Sequence, residues 1–238
     1  MFNIPIMKQD FRINRSRILV LFILQMVSML MAIGICEMKL IEISDIFWDT
    51  IPVIIIPMLL EMVLAYEAIS KCREEGTMDL ILATGIKPEK ILRSKGITIL
   101  GSGMLLILLS AVLGCFTRVY RLTGEWTRNS YLLLNLGAVC LQFFLSGYCF
   151  WMACRCKNIM SYIRTALLIP VCMYAIYIAY YWVQRLFILQ YMTVFSLYRQ
   201  EWYAEQSVMA TIGSGIFLAA GVICFLLGKR AFYKQNLP

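Results

Sequence analysis

Residues 74–85 read EEGTMDLILATG and form a short amphipathic stretch between two long apolar runs. The side chain of Thr77 can cap a helix, and Asp79 suits the positive end of the helix dipole. Gly85 is a natural left-handed stop, and Pro88 fits the first turn of a following helix. We therefore predict a short helix here, which needs contacts with other segments because it is too short to be stable alone.

The apolar residues of this short helix share one stripe, which contains Met78, Ile81, Leu82 and Gly85. Gly76 lets the chain turn tightly into the helix. An exposed apolar stripe at the end of a membrane bundle indicates docking against a partner. The alternative is that the stripe packs on the helix ends of its own chain.

The composition places the rest of the chain in a lipid bilayer. Of its 238 residues, 61% are hydrophobic, and the mean hydropathy is +0.75. Soluble domains average about 45–50% apolar residues. The nine cysteines lie mostly in apolar runs, where they act as small hydrophobic residues. There is no histidine, which excludes histidine-ligated zinc and histidine general bases.

Six apolar segments have the roughly 20 residues that a spanning helix needs. They are continuous rather than alternating, which favours helices over a β-barrel. We predict a single all-α transmembrane domain over residues 1–238. Its spans are placed at Ile18–Cys36, Ile51–Ser70, Ile97–Thr117, Tyr131–Cys154, Tyr162–Trp182 and Val208–Leu227.

The distribution of Lys and Arg predicts the orientation of the spans. Most of the 22 basic residues fall on one side if the N-terminus is cytoplasmic. Six spans then place both termini in the cytoplasm. Only the loop at residues 118–128, with three arginines, opposes this bias. The net charge of +8 is explained by anionic headgroups at the cytoplasmic surface, so no nucleic acid is expected as a partner.

Two segments are not simple spans. Residues 1–17 combine a helical apolar repeat with basic residues and predict an interfacial helix; the alternative is a plain basic leader. Residues 183–206 lie before the last span and are too apolar for a loop in water, yet too short to cross the bilayer twice. They predict an extracellular re-entrant hairpin, with an ordinary extracellular cap as the alternative.

Glu61 lies near the middle of the second predicted span. A lone carboxylate at this depth costs on the order of 3 kcal/mol, so such residues face the bundle interior, pair or take up a proton. Glu61 is therefore a candidate for the lining of a translocation pathway. A structural hydrogen bond between helices is the alternative.

The stretch at residues 74–85 resembles the cytoplasmic coupling helix of type-2 ABC transporter permeases. Gly85 stands where many members have proline, and Ser94 replaces the glycine that often precedes a basic residue such as Lys95. The six-span layout and the two flanking segments are also similar to this family. The residues that carry the resemblance, and that it implies contact an ATPase, are Glu74, Glu75, Gly76, Thr77, Asp79, Leu80, Ile81, Leu82, Ala83, Thr84 and Gly85.

The resemblance implies an exporter in the bacterial plasma membrane. A second permease copy or a paralogue would form a dimer with this chain, and two copies of a cytoplasmic ABC ATPase would drive it. The chain has no phosphate-binding G-x-x-x-x-G-K-[ST] motif. It is therefore expected to be non-catalytic and to bind no cofactor, with ATP and Mg bound by the partner ATPase. Such permeases export amphipathic or hydrophobic substrates, including peptide toxins, antimicrobial peptides and antibiotics, by alternating access, which links them to antibiotic resistance.

Three other classes remain open at the level of the sequence. An ion-gradient-driven secondary transporter or channel is the main alternative, although internal repeats and several intramembrane charges would be expected. An intramembrane protease is suggested by Glu74 and Glu75, but no histidine is available to hold a metal. A membrane anchor or assembly factor would need neither an ATPase nor a pathway.

Overall fold

The computed structural model describes residues 4–37, 54–117, 127–156, 158–182 and 193–236. All regular structure within these ranges is helical, as the sequence predicts. A helix satisfies its own backbone hydrogen bonds, which is required in lipid. The α-helices are α1 (Ile4–Glu37), α2 (Ile56–Ala65), α3 (Cys72–Glu74), α4 (Thr77–Ala83), α5 (Pro88–Thr117), α6 (Arg128–Arg155), α7 (Ile159–Tyr162), α8 (Ile169–Trp182), α9 (Gln200–Ala204) and α10 (Val208–Asn236).

Five helical segments of the described residues are long and apolar enough to cross a membrane, as in a multi-pass membrane protein. They correspond to the first, third, fourth, fifth and sixth predicted spans. The second predicted span falls on α2 and the π-helical segment Tyr66–Lys71, which continues into α3. It stays a prediction as a span. The five segments are Met7–Met31, Pro88–Phe116, Arg128–Arg155, Ile159–Tyr177 and Val208–Lys234.

The N-terminal segment joins the first span without a break. The sequence predicts a separate interfacial helix that ends at residue 17, whereas α1 continues from Ile4 to Glu37. No glycine or proline occurs between Ile6 and Ala32 to interrupt it. Asp10 and Asn14 are buried on the side of α1 that faces the bundle. The position of residues 4–17 relative to the bilayer surface stays a prediction.

Helix α6 is the centre of the bundle. It packs most extensively on α10 and also contacts α5 and α2. Gly147 of α6 and Gly221 of α10 allow the two backbones to approach closely, because a Cβ on Gly147 would lie 2.8 Å from the carbonyl oxygen of Gly221. Small residues at helix contacts are typical of membrane bundles. Helix α6 therefore provides a fixed frame for the side chains described below.

The segment before the last span is described only from residue 193. It contains a 3₁₀ turn at Val194–Leu197 and the short helix α9. Phe195, Tyr198 and Tyr203 are buried against the bundle, so this part is a packed cap on the helices rather than an exposed loop. The first half of the predicted re-entrant hairpin, and residues 118–126 of the opposing basic loop, lie outside the described residues.

Candidate functional site

The predicted coupling segment is a short helix entered through a left-handed turn. Gly76 has φ 69° and is the N-cap of α4, which confirms the tight turn. The prediction that Thr77 caps the helix is wrong: Thr77 is the first helical residue, and its hydroxyl donates a hydrogen bond to the carbonyl of Cys72 at 2.9 Å. The hydroxyl therefore bonds back across the turn to the first residue of α3. Gly85 has φ 74°, as expected of a left-handed stop.

The apolar residues of α4 divide between the chain's own core and solvent. Met78 is only 1% exposed and belongs to the hydrophobic core. Leu82 is half-buried and packs against the same core. Leu80, in contrast, is 71% exposed. Of the stripe predicted from the sequence, Met78 and Leu82 therefore pack on the chain's own bundle, as the alternative interpretation expects, whereas the exposed Leu80 lies outside that stripe.

The outward side of this segment is defined here as the exposed face. Ile81 is half-buried at its edge, and the hydroxyl of Thr84 donates to the carbonyl of Ile81 at 2.6 Å, which closes the last turn. The large apolar side chain of Leu80 thus lies among small and acidic residues. Within the described part of the chain, neither Glu75 nor Asp79 forms an ion pair. The exposed face consists of Glu75, Asp79, Leu80, Ala83, Thr84 and Gly85.

Glu74 lies at the start of the segment, and its carboxylate accepts hydrogen bonds from other parts of the same chain. Its Oε1 atom accepts a hydrogen bond from the backbone N–H of Ile159 at 2.7 Å, and its Oε2 atom accepts one from the hydroxyl of Tyr66 at 3.1 Å. Glu74 thus helps to position the segment, and its contact with an ATPase stays a prediction. It links the segment to the first residue of α7.

Arg73 makes a second link to the same region, which no sequence pattern indicates. Its guanidinium donates to the carbonyl oxygens of Cys154 at 3.2 Å and Cys156 at 3.3 Å, and it lies 5.6 Å from the ring centroid of Phe232. Burial lowers the pKa of the Arg73 guanidinium below its usual value. A cation suits the C-terminus of α6, where the last carbonyls carry partial negative charge. Arg73 and Glu74 together attach the segment to both sides of the α6–α7 connection.

Two ion pairs attach α1 to the same end of the bundle. Lys95 of α5, which is 1% exposed, lies 3.3 Å from the carboxylate of Asp10 and 4.0 Å from the thiol of Cys72. Glu67 is largely buried and pairs with Arg17 at 2.7 Å as well as with Lys71. Charged residues that are far apart in the sequence therefore form ion pairs at the end of the bundle that carries the segment.

Glu61 lies inside the bundle, as predicted, with 0% exposure. The amide of Gln142 in α6 interacts with the Glu61 carboxylate, but the geometry falls short of a formed hydrogen bond. Among the residues described, neither carboxylate oxygen of Glu61 and neither polar atom of the Gln142 amide has a hydrogen-bond partner. Gly103 of α5 makes room for the carboxylate, because a Cβ at this position would overlap it. The structure thus brings three helices together around one buried acid.

The turn at Gly76 permits a direct test of the segment's geometry. Gly76→Ala is expected to destabilise the turn by about 1 kcal/mol, because the left-handed conformation is unfavourable for a residue with a Cβ. No atom lies within 4 Å of a Cβ built at this position, so the effect is conformational rather than steric. We expect amide hydrogen exchange at residues 77–83 to accelerate about fivefold, as measured by mass spectrometry.

Gly101 provides the matched control for this substitution. It is helical, and a Cβ there also has open space, so Gly101→Ala is expected to leave exchange at residues 77–83 unchanged. Equal exchange in the wild type and in Gly76→Ala would contradict the left-handed turn.

The segment at residues 74–85, its two links to the α6–α7 connection and the buried Glu61 form the candidate site. Its geometry is that of a small exposed helix fixed to the end of a membrane bundle. No family model matches this chain, and neither the curated proteins nor the solved structures provide a match.

Proposed function

We propose that this chain is the membrane permease subunit of an ATP-driven type-2 ABC exporter. The observation that carries the proposal is the exposed face of α4, where Leu80 projects from a helix whose other side is packed on the chain's own core. A large exposed apolar residue on a rigid, polar-rimmed helix suits burial in a groove of another protein. The occupant of this face is, in our proposal, a cytoplasmic ABC ATPase that binds ATP and Mg.

The contacts of the segment provide a route from the ATPase to the membrane helices. A displacement of α4 acts on α3 through the Gly76 turn and the hydrogen bond from Thr77 to Cys72. It acts on the α6–α7 connection through Arg73 and Glu74. The π-helical segment Tyr66–Lys71 lies between α4 and Glu61, and such segments are frequent at functional sites. Closure of the ATPase pair would therefore move at least two membrane helices together.

The other parts of the proposed assembly are those that the resemblance to type-2 ABC exporters implies. Two permeases, either two copies of this chain or this chain with a paralogue, bind two ATPase subunits in a bacterial plasma membrane. Both termini are cytoplasmic, in accordance with the distribution of basic residues. The substrate class is an amphipathic or hydrophobic molecule, such as a peptide toxin, an antimicrobial peptide or an antibiotic. Outward movement occurs by alternating access.

An ion-gradient-driven secondary transporter or channel is the second candidate, and Glu61 is the observation that favours it. A buried carboxylate without a hydrogen-bond partner among the described residues can take up and release a proton within a membrane. The two candidates differ in their energy source. Transport in proteoliposomes that requires ATP and an ATPase subunit supports the exporter, whereas transport driven by a pH gradient through this chain alone supports the secondary transporter.

Purification of the intact chain tests the exporter proposal. The tagged chain is expressed in its native host, extracted in mild detergent and analysed by mass spectrometry. We expect a stoichiometric partner with a phosphate-binding G-x-x-x-x-G-K-[ST] motif, together with ATP hydrolysis by the purified complex. A homogeneous preparation without such a partner would contradict the proposal.

Substitution of Glu61 tests its role in the pathway. Glu61→Gln keeps the shape of the side chain but removes its charge, so we expect assembly with the ATPase to persist while substrate-stimulated ATP hydrolysis and transport decrease. Glu61→Leu should retain the fold, because a buried apolar residue replaces an unpaired acid. A Glu61→Leu protein with wild-type transport and wild-type thermal stability would exclude a role in the pathway.

A further inference from the structure

A groove between α5, α6 and α10 lies at the end of the bundle that also carries α4. Its volume is about 340 Å³, within the range of about 300–1,000 Å³ typical of small-molecule sites. Most of the lining is apolar, and Gly96 opens the groove because it has no side chain. The other apolar lining residues are Leu92, Ile97, Leu100, Phe143, Phe150, Phe225 and Leu226.

The mouth of the groove is charged and has an excess of positive charge. Arg93 and Lys229 both contact a single oxygen of Glu89, at 2.8 and 2.6 Å. Two cations therefore share one carboxylate, which leaves one net positive charge and several unused N–H donors. All three side chains are partly exposed, so the donors are accessible to a ligand headgroup.

The apolar part of the groove is open toward the surface that faces lipid. Leu226 lines the groove and is itself more than half exposed, and it continues the exposed apolar surface of Val222 and Ile223 on α10. An occupant can thus enter sideways from the bilayer. It must combine an apolar chain with an anionic group positioned at the end of the helices.

We propose that this groove is a binding site for an anionic phospholipid. The acyl chain lies against Phe143, Phe150 and Phe225, and the phosphate accepts hydrogen bonds from Arg93 and Lys229. Basic pockets between membrane helices near the headgroup level are suited to such lipids. The site is separate from the exposed face of α4 and from Glu61, so it does not depend on the exporter proposal.

Native mass spectrometry of the intact chain in detergent tests the site, with dioleoyl phosphatidylglycerol and dioleoyl phosphatidylcholine as the two probes. We expect the wild type to bind phosphatidylglycerol at least about fivefold more tightly, because each basic residue near a headgroup contributes about that factor. R93Q and K229Q are each expected to lower phosphatidylglycerol binding about fivefold and to leave phosphatidylcholine binding unchanged. R230Q is the matched control, because Arg230 is exposed at the same helix end and does not line the groove.

A second pair of variants tests the apolar part of the site. G96L places a side chain in the groove and is expected to weaken binding of both lipids, whereas G101L, on the same helix where a Cβ has open space, should bind as the wild type does. The proposal is overturned by equal affinity of the wild type for both lipids, by equal loss in R230Q and K229Q, or by undiminished binding in G96L. Displacement of the lipid by a second copy of the chain, seen as a lipid-free dimer, would also overturn it.

Discussion

Replacement of Leu80 by glutamate is expected to abolish co-purification of the ATPase while the permease remains folded in the membrane. Leu80 is the large apolar side chain of the exposed face, so burial in the ATPase groove contributes roughly 1.5–3 kcal/mol if it is fully covered. Placing a carboxylate in that groove adds a desolvation penalty. We expect the affinity to fall by at least about 30-fold, measured as the ATPase retained per permease after washing.

Two matched variants separate docking from folding. Met160 on α7 is 60% exposed, at the same end of the bundle as Leu80, so Met160→Glu should retain the ATPase. Leu82→Glu introduces a charge beside the chain's own core, so its loss of the ATPase should be accompanied by a lower thermal stability. Full retention of the ATPase by Leu80→Glu, or equal loss in Met160→Glu, would contradict docking through the exposed face.

Removal of one partner of the Asp10–Lys95 pair is expected to have the largest effect on stability. Lys95 is almost completely buried and Asp10 largely so. Either Asp10→Leu or Lys95→Met leaves an uncompensated buried charge, which costs roughly 3–5 kcal/mol. The double variant replaces both charges by apolar side chains and should recover most of the stability, since such replacements are often neutral. Unfolding of the intact chain in detergent, followed by circular dichroism, measures all three.

The control for these three variants is Lys71→Met. Lys71 is partly exposed, and Glu67 keeps its contact with Arg17 when Lys71 is lost. An exposed pair contributes about 0–1 kcal/mol, so this variant should unfold close to the wild type. Additive losses in the Asp10→Leu/Lys95→Met double variant would show that the two charges are independent and that α1 is not attached to α5 through them.

Local features of the site could be predicted from the sequence because they depend on single residue types. Gly76 forms the tight turn and Gly85 the left-handed stop expected of them, and Pro88 begins α5 as expected. The burial of Glu61 follows from the cost of a carboxylate in lipid. Thr77 was misassigned because Gly76 takes the N-cap position, and the Thr77 hydroxyl donates instead to the carbonyl of Cys72, five residues back.

The contacts between distant parts of the chain could not be predicted. Helical spacing groups Met78, Ile81 and Leu82 on one stripe, but it does not show which side of α4 meets the bundle. Arg73 reaches α6, and Asp10 reaches Lys95, across more than 80 residues of sequence. A charge run near a helix end is ordinarily solvated, so only the packed structure identifies these residues as partners.

Photo-crosslinking from position 80 tests the central claim most directly. A photoreactive amino acid is incorporated in place of Leu80 in living cells, and at Met160 in a parallel control, and the crosslinked products are identified by mass spectrometry. Docking of α4 in an ATPase predicts a crosslink from position 80 to a protein with a phosphate-binding loop, and a weaker one or none from position 160. Crosslinks from position 80 that reach only lipid, this chain itself or a protein without such a loop would contradict the proposed exporter.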